Sequence, residues 1–234
     1  MGEALCASLC EPDPMNPFDS NRQVRQDSGA IRLGPETAER RLVLLHGWGA
    51  DADDLLDLAE LLVPPEVSVI SLRAPEPHPA GVGRQWYPLL WSAEMVPEPA
   101  WERVPAAREA LRRRLLDLDA SVPLERTALL GFSQGAAMAL DVATGGDQPL
   151  PLSAVIGCSG YPHRDWRPQA GGTPVLLTHG LEDPVVSAEH CEQLQALLQA
   201  AGIRVERHLF RGGHGIDPDL LPALARFLAG SWRG

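Results

Sequence analysis

The chain has 234 residues, 44% of them hydrophobic, and a formal net charge of −11 from 20 Lys and Arg against 31 Asp and Glu. That length fits one sizeable domain with a full core, and the charge argues against nucleic acid or an anionic membrane surface as a main partner, since both attract basic patches. The start of the chain carries Glu3 and lacks an apolar run of signal-peptide length, and no later stretch approaches the roughly 18 apolar residues of a membrane span, so a cytoplasmic protein is expected.

From Met1 to about Gln26 the sequence has no apolar periodicity, and residues 1–26 are expected to be an irregular arm ahead of a single domain over 27–234. Ile31 to Leu33 reads as a short edge strand ended by Gly34-Pro35, and Arg41 to Leu45 as a buried strand. Leu55, Leu58, Ala59 and Leu62 share one helix face, with Asp53 as N-cap, and Val67 to Leu72 is the next strand. A Pro-rich interruption runs from Ala74 to Ala100. Val104, Ala107, Leu111, Leu115 and Leu118 then repeat at helical spacing, which places Arg112-Arg113-Arg114 on a solvated face. Thr127 to Leu130 reads as a strand and Ala136 to Ala143 as a close-packing helix; Ala154 to Gly157, Val175 to Thr178 and Arg204 to Phe210 read as further strands. Leu194, Leu197, Leu198 and Ala201 mark a helix before the last of these, and Leu220, Leu221, Leu224, Phe227 and Leu228 a terminal one. Strands separated by helices pair in parallel through right-handed crossovers, which predicts a mostly parallel, doubly wound α/β sheet flanked by helices.

Between the Thr127 strand and its helix stands Gly131-Phe132-Ser133-Gln134-Gly135, which resembles the nucleophile elbow of an α/β-hydrolase. A Cβ at either glycine would meet the neighbouring strand or helix in so tight a turn. A Ser hydroxyl is a weak nucleophile at neutral pH, so the elbow calls for a His base and a carboxylate that fixes the imidazole tautomer. In this fold their order is Ser, acid, His. Asp183, after the Val175 strand, is the predicted acid with Glu182 as the alternative, and His214, in Gly212-Gly213-His214-Gly215 after the last strand, is the predicted base. Acyl transfer also needs donors aimed at the developing oxyanion. The N–H of Gln134, next after the nucleophile, is one; the N–H of Trp48, in His46-Gly47-Trp48-Gly49 after an early strand, is the other. His46, Gly47 and His179 are assigned supporting roles, and His78, His163, His190 and His208 are read as solvent-exposed. Cys6, Cys10, Cys158 and Cys191 show neither CxxC nor metal-ligand spacing, so reduced thiols and no metal site are expected, with Cys158 buried.

With HGWGADADD from His46, RAPEP from Arg73, QWY from Gln85, GFSQG from Gly131, SGY from Ser159, HGLEDPVV from His179 and GGHGI around His214, the chain resembles the phospholipase/carboxylesterase family of the α/β-hydrolases. The resemblance spans about Arg41 to Phe227 and implies a cofactor-free serine esterase with Ser133, Asp183 and His214 as triad and the Trp48 and Gln134 N–H groups as oxyanion hole. It implies a small-molecule ester or acyl substrate, thioesters and lysophospholipids included, and leaves a homodimer open. The acyl-protein thioesterases of that family usually carry an Asp after the Trp of the middle motif; here Trp86, Tyr87, Leu89, Leu90 and Trp91 form an aromatic and apolar segment that is assigned either to acyl binding or to covering core. An acyl-protein thioesterase proper, a hydrolase-fold receptor without turnover, and a dienelactone hydrolase-like enzyme are the alternatives, the last disfavoured because that group typically uses a Cys nucleophile.

Overall fold

The computed structural model describes residues 24–91, 97–146 and 149–233. Eight strands form the main sheet: β1 (Val24–Gln26), β2 (Ala30–Leu33), β3 (Arg41–Leu45), β4 (Ser68–Leu72), β5 (Thr127–Phe132), β6 (Ala154–Cys158), β7 (Val175–Gly180) and β8 (Val205–Phe210). Their order across the sheet is β1-β2-β4-β3-β5-β6-β7-β8, antiparallel from β1 to β4 and parallel from β4 onward. Five helices connect or close them: α1 (Leu56–Leu62), α2 (Val104–Leu118), α3 (Gln134–Thr144), α4 (Glu189–Ala200) and α5 (Leu221–Ser231).

The central strands are apolar at nearly every position because both faces of the sheet are covered. Side chains alternate between the faces. Leu42, Leu44, Val69, Leu130 and Ile156 pack with Ala59 and Leu62 of α1 and Leu224 and Leu228 of α5. Val43, Leu45, Ile70, Leu129 and Val155 pack with Leu111 and Leu115 of α2, Met138 and Leu140 of α3, and Leu194 and Leu198 of α4. The predicted doubly wound sheet is therefore present, with two helices on one side and three on the other.

Several local expectations are corrected. The sheet begins at Val24, inside the segment assigned to an irregular arm, because β1 gives β2 a hydrogen-bonded partner; residues 1–23 of that arm, with Cys6 and Cys10, lie outside the described residues. Asp53 does not cap α1 with its side chain; only its carbonyl takes part, accepting from the Leu56 N–H, and the helix starts at Leu56 with Leu55 as N-cap. The Arg112–Arg114 run is not uniformly solvated either. Arg114 reaches back to donate to the carbonyls of Arg73 and Gly29, bracing the ends of β4 and β2. Arg41, at the start of β3, is 1% exposed and donates to the Leu118 carbonyl and the Ser121 hydroxyl, and burial lowers its pKa to about 10.

Among the described residues, no helix is long and apolar enough to cross a membrane.

Candidate active site

Ser133 sits between β5 and α3 with φ 54° and ψ −118°, a conformation that costs an L-residue about 1–3 kcal/mol and persists only where the surroundings enforce it. The enforcement is steric and hydrogen-bonded. A Cβ on Gly131 would lie 2.3 Å from the carbonyl oxygen of Gly135, and one on Gly135 would lie 2.1 Å from that of Leu45, so strand, helix and β3 approach as closely as only glycine permits. The Ser133 N–H donates to the Cys158 carbonyl at 2.8 Å, tying the turn to β6. α3 then leaves the turn directly. Its residues, mostly small, are all buried, and its free N-terminal N–H groups with the helix dipole point back to the Ser133 region.

The loops after β7 and β8 bring the other two predicted residues to this turn. His214 Nε2 lies 2.9 Å from Ser133 Oγ, and His214 Nδ1 lies 2.7 Å from Asp183 Oδ2. With its proton on Nδ1 and shared with Asp183, the imidazole presents the Nε2 lone pair to the serine hydroxyl. The Asp183 side chain is fully buried, whereas that of His214 is 17% exposed. Burial by itself would raise the Asp183 carboxyl, but the Val186 N–H, His214 and the Val185 N–H outweigh it and hold its pKa below the ordinary value. Glu182, the alternative acid, is exposed.

The supporting histidines act on backbone. His46 is fully buried, accepts from the Ala74 N–H on Nε2 and donates from Nδ1 to the Gly47 carbonyl, and burial pushes its pKa down, so it holds its loop as a neutral ring. His179 Nε2 donates to the Val186 carbonyl and lies 3.3 Å from Asp183 Oδ2, which fixes the loop that presents the acid. A Cβ on Gly47 would meet the Phe132 ring at 3.1 Å, so that loop is packed tightly against the elbow. Among the described residues, neither the Trp48 nor the Gln134 N–H takes part in the turn and loop backbone hydrogen bonds. Gly47, Trp48, Ser133, Gln134 and His214 all line one cavity of about 840 Å³, a size suited to a small organic ligand.

Of the two readings of the aromatic segment, acyl binding and covering core, the second describes its buried members Trp86 and Tyr87. Trp86 and Tyr87 are buried behind the site and do not line the cavity; Leu90 and Trp91 are each 55% exposed and do not line it either, leaving Leu89 as the residue of this group that does. The buried pair braces the elbow instead. Trp86 Nε1 donates to the His46 carbonyl, the Trp86 N–H donates to Gln134 Oε1, and Gln134 Nε2 donates to the Tyr87 carbonyl. Gln85 completes this brace by accepting from Trp48 Nε1 at 2.9 Å.

Sequence reasoning also missed a second Asp–His pair. His163, expected at the surface, is 3% exposed; its Nδ1 lies 2.5 Å from Asp141 Oδ2, and its Nε2 lies 2.9 Å from the Tyr87 hydroxyl, which meets the Tyr161 hydroxyl at 2.7 Å. Arg108 donates to Asp141 from the outside. His78 is likewise not free in solvent, since its ring stands edge-on to Trp48 at 4.1 Å, whereas His208 lies at the surface beside Glu206. No spacing along the chain signals the Asp141 pair, because its partners come from α3 and from two loops. Ser159, in left-handed conformation at φ 51°, donates to the Gly215 carbonyl and so steadies the His214 loop; the SGY motif was the available pointer to it.

Residues 27–231 match the phospholipase/carboxylesterase family model. The chain is 28% identical over 198 residues to the esterase YpfH of Escherichia coli (strain K12), covering 83% of this chain and 84% of that protein. It is also 32% identical over 121 residues to acyl-protein thioesterase 1 of Gibberella zeae, a match limited to 48% of this chain and 51% of that one. Among solved structures, esterase PE8 superimposes with a TM-score of 0.74 at 31% identity, covering 85% of this chain and 96% of that one; the Bacillus cereus carboxylesterase shares the fold with a TM-score of 0.75 at 21% identity, covering 92% and 97%. With the elbow, the sheet order and these likenesses in agreement, the chain belongs to the phospholipase/carboxylesterase family and is an esterase-type serine hydrolase of the α/β-hydrolase fold.

Proposed function

We propose that the protein hydrolyses carboxylic esters of small molecules through an acyl-enzyme on Ser133, with His214 as base and Asp183 as its orienting carboxylate. The hydrogen-bonded chain from Asp183 through His214 to Ser133 Oγ, opening on the cavity, carries this reading. Ser133 Oγ attacks the ester carbonyl while His214 Nε2 takes the hydroxyl proton, and Asp183 stabilises the imidazolium. The carbonyl oxygen, now negative, is met by the Trp48 and Gln134 N–H groups. Collapse of the tetrahedral intermediate breaks the bond to the alcohol oxygen, which receives the proton from His214. Water, deprotonated by the same histidine, then attacks the acyl-enzyme and releases the acid and free Ser133. These groups conduct every proton and acyl transfer in the sequence, so the reaction asks for no cofactor. Thioesters react by the same steps, with a thiol as leaving group.

Ser133→Ala is expected to lower kcat for short-chain nitrophenyl esters by at least about 10⁴-fold, in line with loss of a nucleophile that acts as a unit with its base. Retention of most activity by the clean variant overturns the assignment. A fluorophosphonate separates turnover from mere ligand binding: the wild-type chain should be labelled at Ser133, whereas a folded, unlabelled protein favours a hydrolase-fold receptor.

A further inference from the structure

The described residues lining the cavity include two guanidinium groups, Arg164 and Arg167, both on the loop that follows Ser159. Some other arginines of this acidic chain pair with a carboxylate, among them Arg73 with Asp51, Arg103 with Glu76 and Arg108 with Asp141. Among the described residues, Arg164 and Arg167 meet none. Arg164 lies over the Trp101 ring with its guanidinium carbon 5.1 Å from the centroid, a cation–π contact that leaves its charge unneutralised. Arg167 spends one nitrogen, Nη1, on the carbonyls of Arg164 and Trp166. The carboxylate in the same lining, Asp54, comes from a different loop, the one that carries Trp48.

Their loop is held in place from below. His163 is pinned to Asp141, Tyr161 to Tyr87, Asp165 to Arg108 at 2.8 Å, and Trp166 Nε1 to Thr144 Oγ1 at 3.2 Å. The residues flanking Arg164, and Trp166 before Arg167, are thus anchored to α2, α3 or the Tyr87 segment, while the two arginines, both exposed, line the cavity. That is preorganisation of charge, which spares the ordering cost of binding. In a chain of net charge −11, unpaired cations in a concave, partly apolar wall form a local field opposite to that of the rest of the molecule.

We infer that Arg164 and Arg167 form an anion subsite of this cavity, and that the preferred ester carries a carboxylate or phosphate remote from its scissile carbonyl. The inference rests on the serine-esterase reading of Ser133. A guanidinium fork matches the two oxygens of either anion, and the anionic group sits on the acyl half or on the alcohol half of the ester.

Two substrate pairs separate these sources. For the acyl half, the mono-nitrophenyl ester of glutaric acid is compared with its methyl-capped neutral form; for the alcohol half, the butyryl ester of glycerol 3-phosphate is compared with that of glycerol. In at least one pair the wild-type kcat/KM should favour the charged member by about tenfold or more, as expected for a charge-assisted contact. The Arg164→Gln/Arg167→Gln double variant should lose most of that ratio, and about 0.5 M NaCl should shrink it in the wild type by screening. Ratios are taken within each protein, with active enzyme counted by fluorophosphonate titration, so a partly misfolded variant does not alter them. On Ser133→Ala, where nothing turns over, the charged ester should also bind more tightly than its neutral partner. Equal or neutral-favouring ratios in both wild-type pairs, or a ratio unchanged by the double variant, overturn the subsite. If the wild type cleaves the neutral esters through Ser133 without charge preference, the subsite falls and the esterase stands. If Ser133 neither labels nor turns over any ester, the esterase reading falls, and the binding comparison on Ser133→Ala alone decides the subsite.

Discussion

Two Asp–His–hydroxyl chains lie in the molecule, and they differ in what surrounds them. Asp183–His214–Ser133 joins three loops at the sheet edge, with the His214 side chain 17% exposed and the serine on the cavity. Asp141–His163–Tyr87 ties α3 to two loops, with the His163 side chain fully buried and the chain closed at one end by Arg108 and at the other by the Tyr161 hydroxyl. Burial raises the Tyr87 hydroxyl well above its ordinary pKa, so it holds its proton and serves as a fixed hydrogen-bond post. On the proposed mechanism, the same two residue types therefore do chemistry where the hydroxyl opens on the cavity and hold structure where the hydroxyl is buried between His163 and Tyr161.

The contrast can be broken at the hydroxyl first. Ser133→Ala removes the proposed nucleophile, with the expected loss of at least about 10⁴-fold in kcat given above, whereas Tyr87→Phe should leave kcat within about tenfold and reduce stability by about 1 kcal/mol for the lost hydrogen bonds. A Tyr87→Phe loss comparable with that of Ser133→Ala would mean that the buried chain takes part in turnover. At the carboxylates the effects should invert. Asp183→Asn is expected to cost about 10³–10⁴-fold in kcat by favouring the wrong imidazole tautomer, with a small change in Tm. Asp141→Ala should instead lower stability by about 3 kcal/mol, because it strands Arg108 and His163, seen as a Tm drop of about 6–12 °C. A kcat loss in Asp141→Ala as large as that of Asp183→Asn, with Tm unchanged, would overturn this division.

A smaller effect concerns pH. The folded-state pKa of Asp183 lies below its unfolded value, so its contribution to stability is complete above the unfolded pKa of about 3.9 and is lost as pH falls through the lower folded value. Denaturant titrations of wild type and Asp183→Asn should thus show a gap that is constant near neutrality and closes below about pH 4. A gap that widens in acid contradicts the sign. The smallest effect is on the thiols. Burial pushes Cys158 up to about 12 and Cys191 up to about 11, so both should resist alkylation at pH 8 until the protein unfolds. Fast labelling of Cys158 in the native protein would show that the strand beside the elbow opens locally.

Much of the frame was legible beforehand because it follows from periods and local sterics. Strands such as Arg41–Leu45 and Val175–Gly180 announce themselves by apolar runs, and their ends carry the loops in which His46 and Asp183 were placed, while His214 follows Val205–Phe210. Gly131 and Gly135 were readable because their close approaches, 2.3 Å and 2.1 Å for an added Cβ, tolerate no other residue. The Trp86–Trp91 segment was not readable. A large apolar side chain in a Pro-rich loop has the same sequence appearance whether it lines a cavity, as Leu89 does, or braces a loop from beneath, as Trp86 does. His163 failed for a related reason: a histidine in a polar stretch looks exposed until Asp141 is brought to it from another element.

The sequence alone determined the parallel α/β sheet, the elbow and the order of Ser133, Asp183 and His214, because hydrophobic period, glycine sterics and chain order are properties of residues close together along the chain. Only the tertiary structure decided which of the two Asp–His–hydroxyl chains ends in a hydroxyl on the cavity, that QWY braces the site, and that Arg164 and Arg167 stand on its wall without a carboxylate partner among the described residues. Those outcomes depend on burial and on partners drawn from distant segments, and burial, which decides whether a polar group holds structure or meets a ligand, belongs to the packed chain.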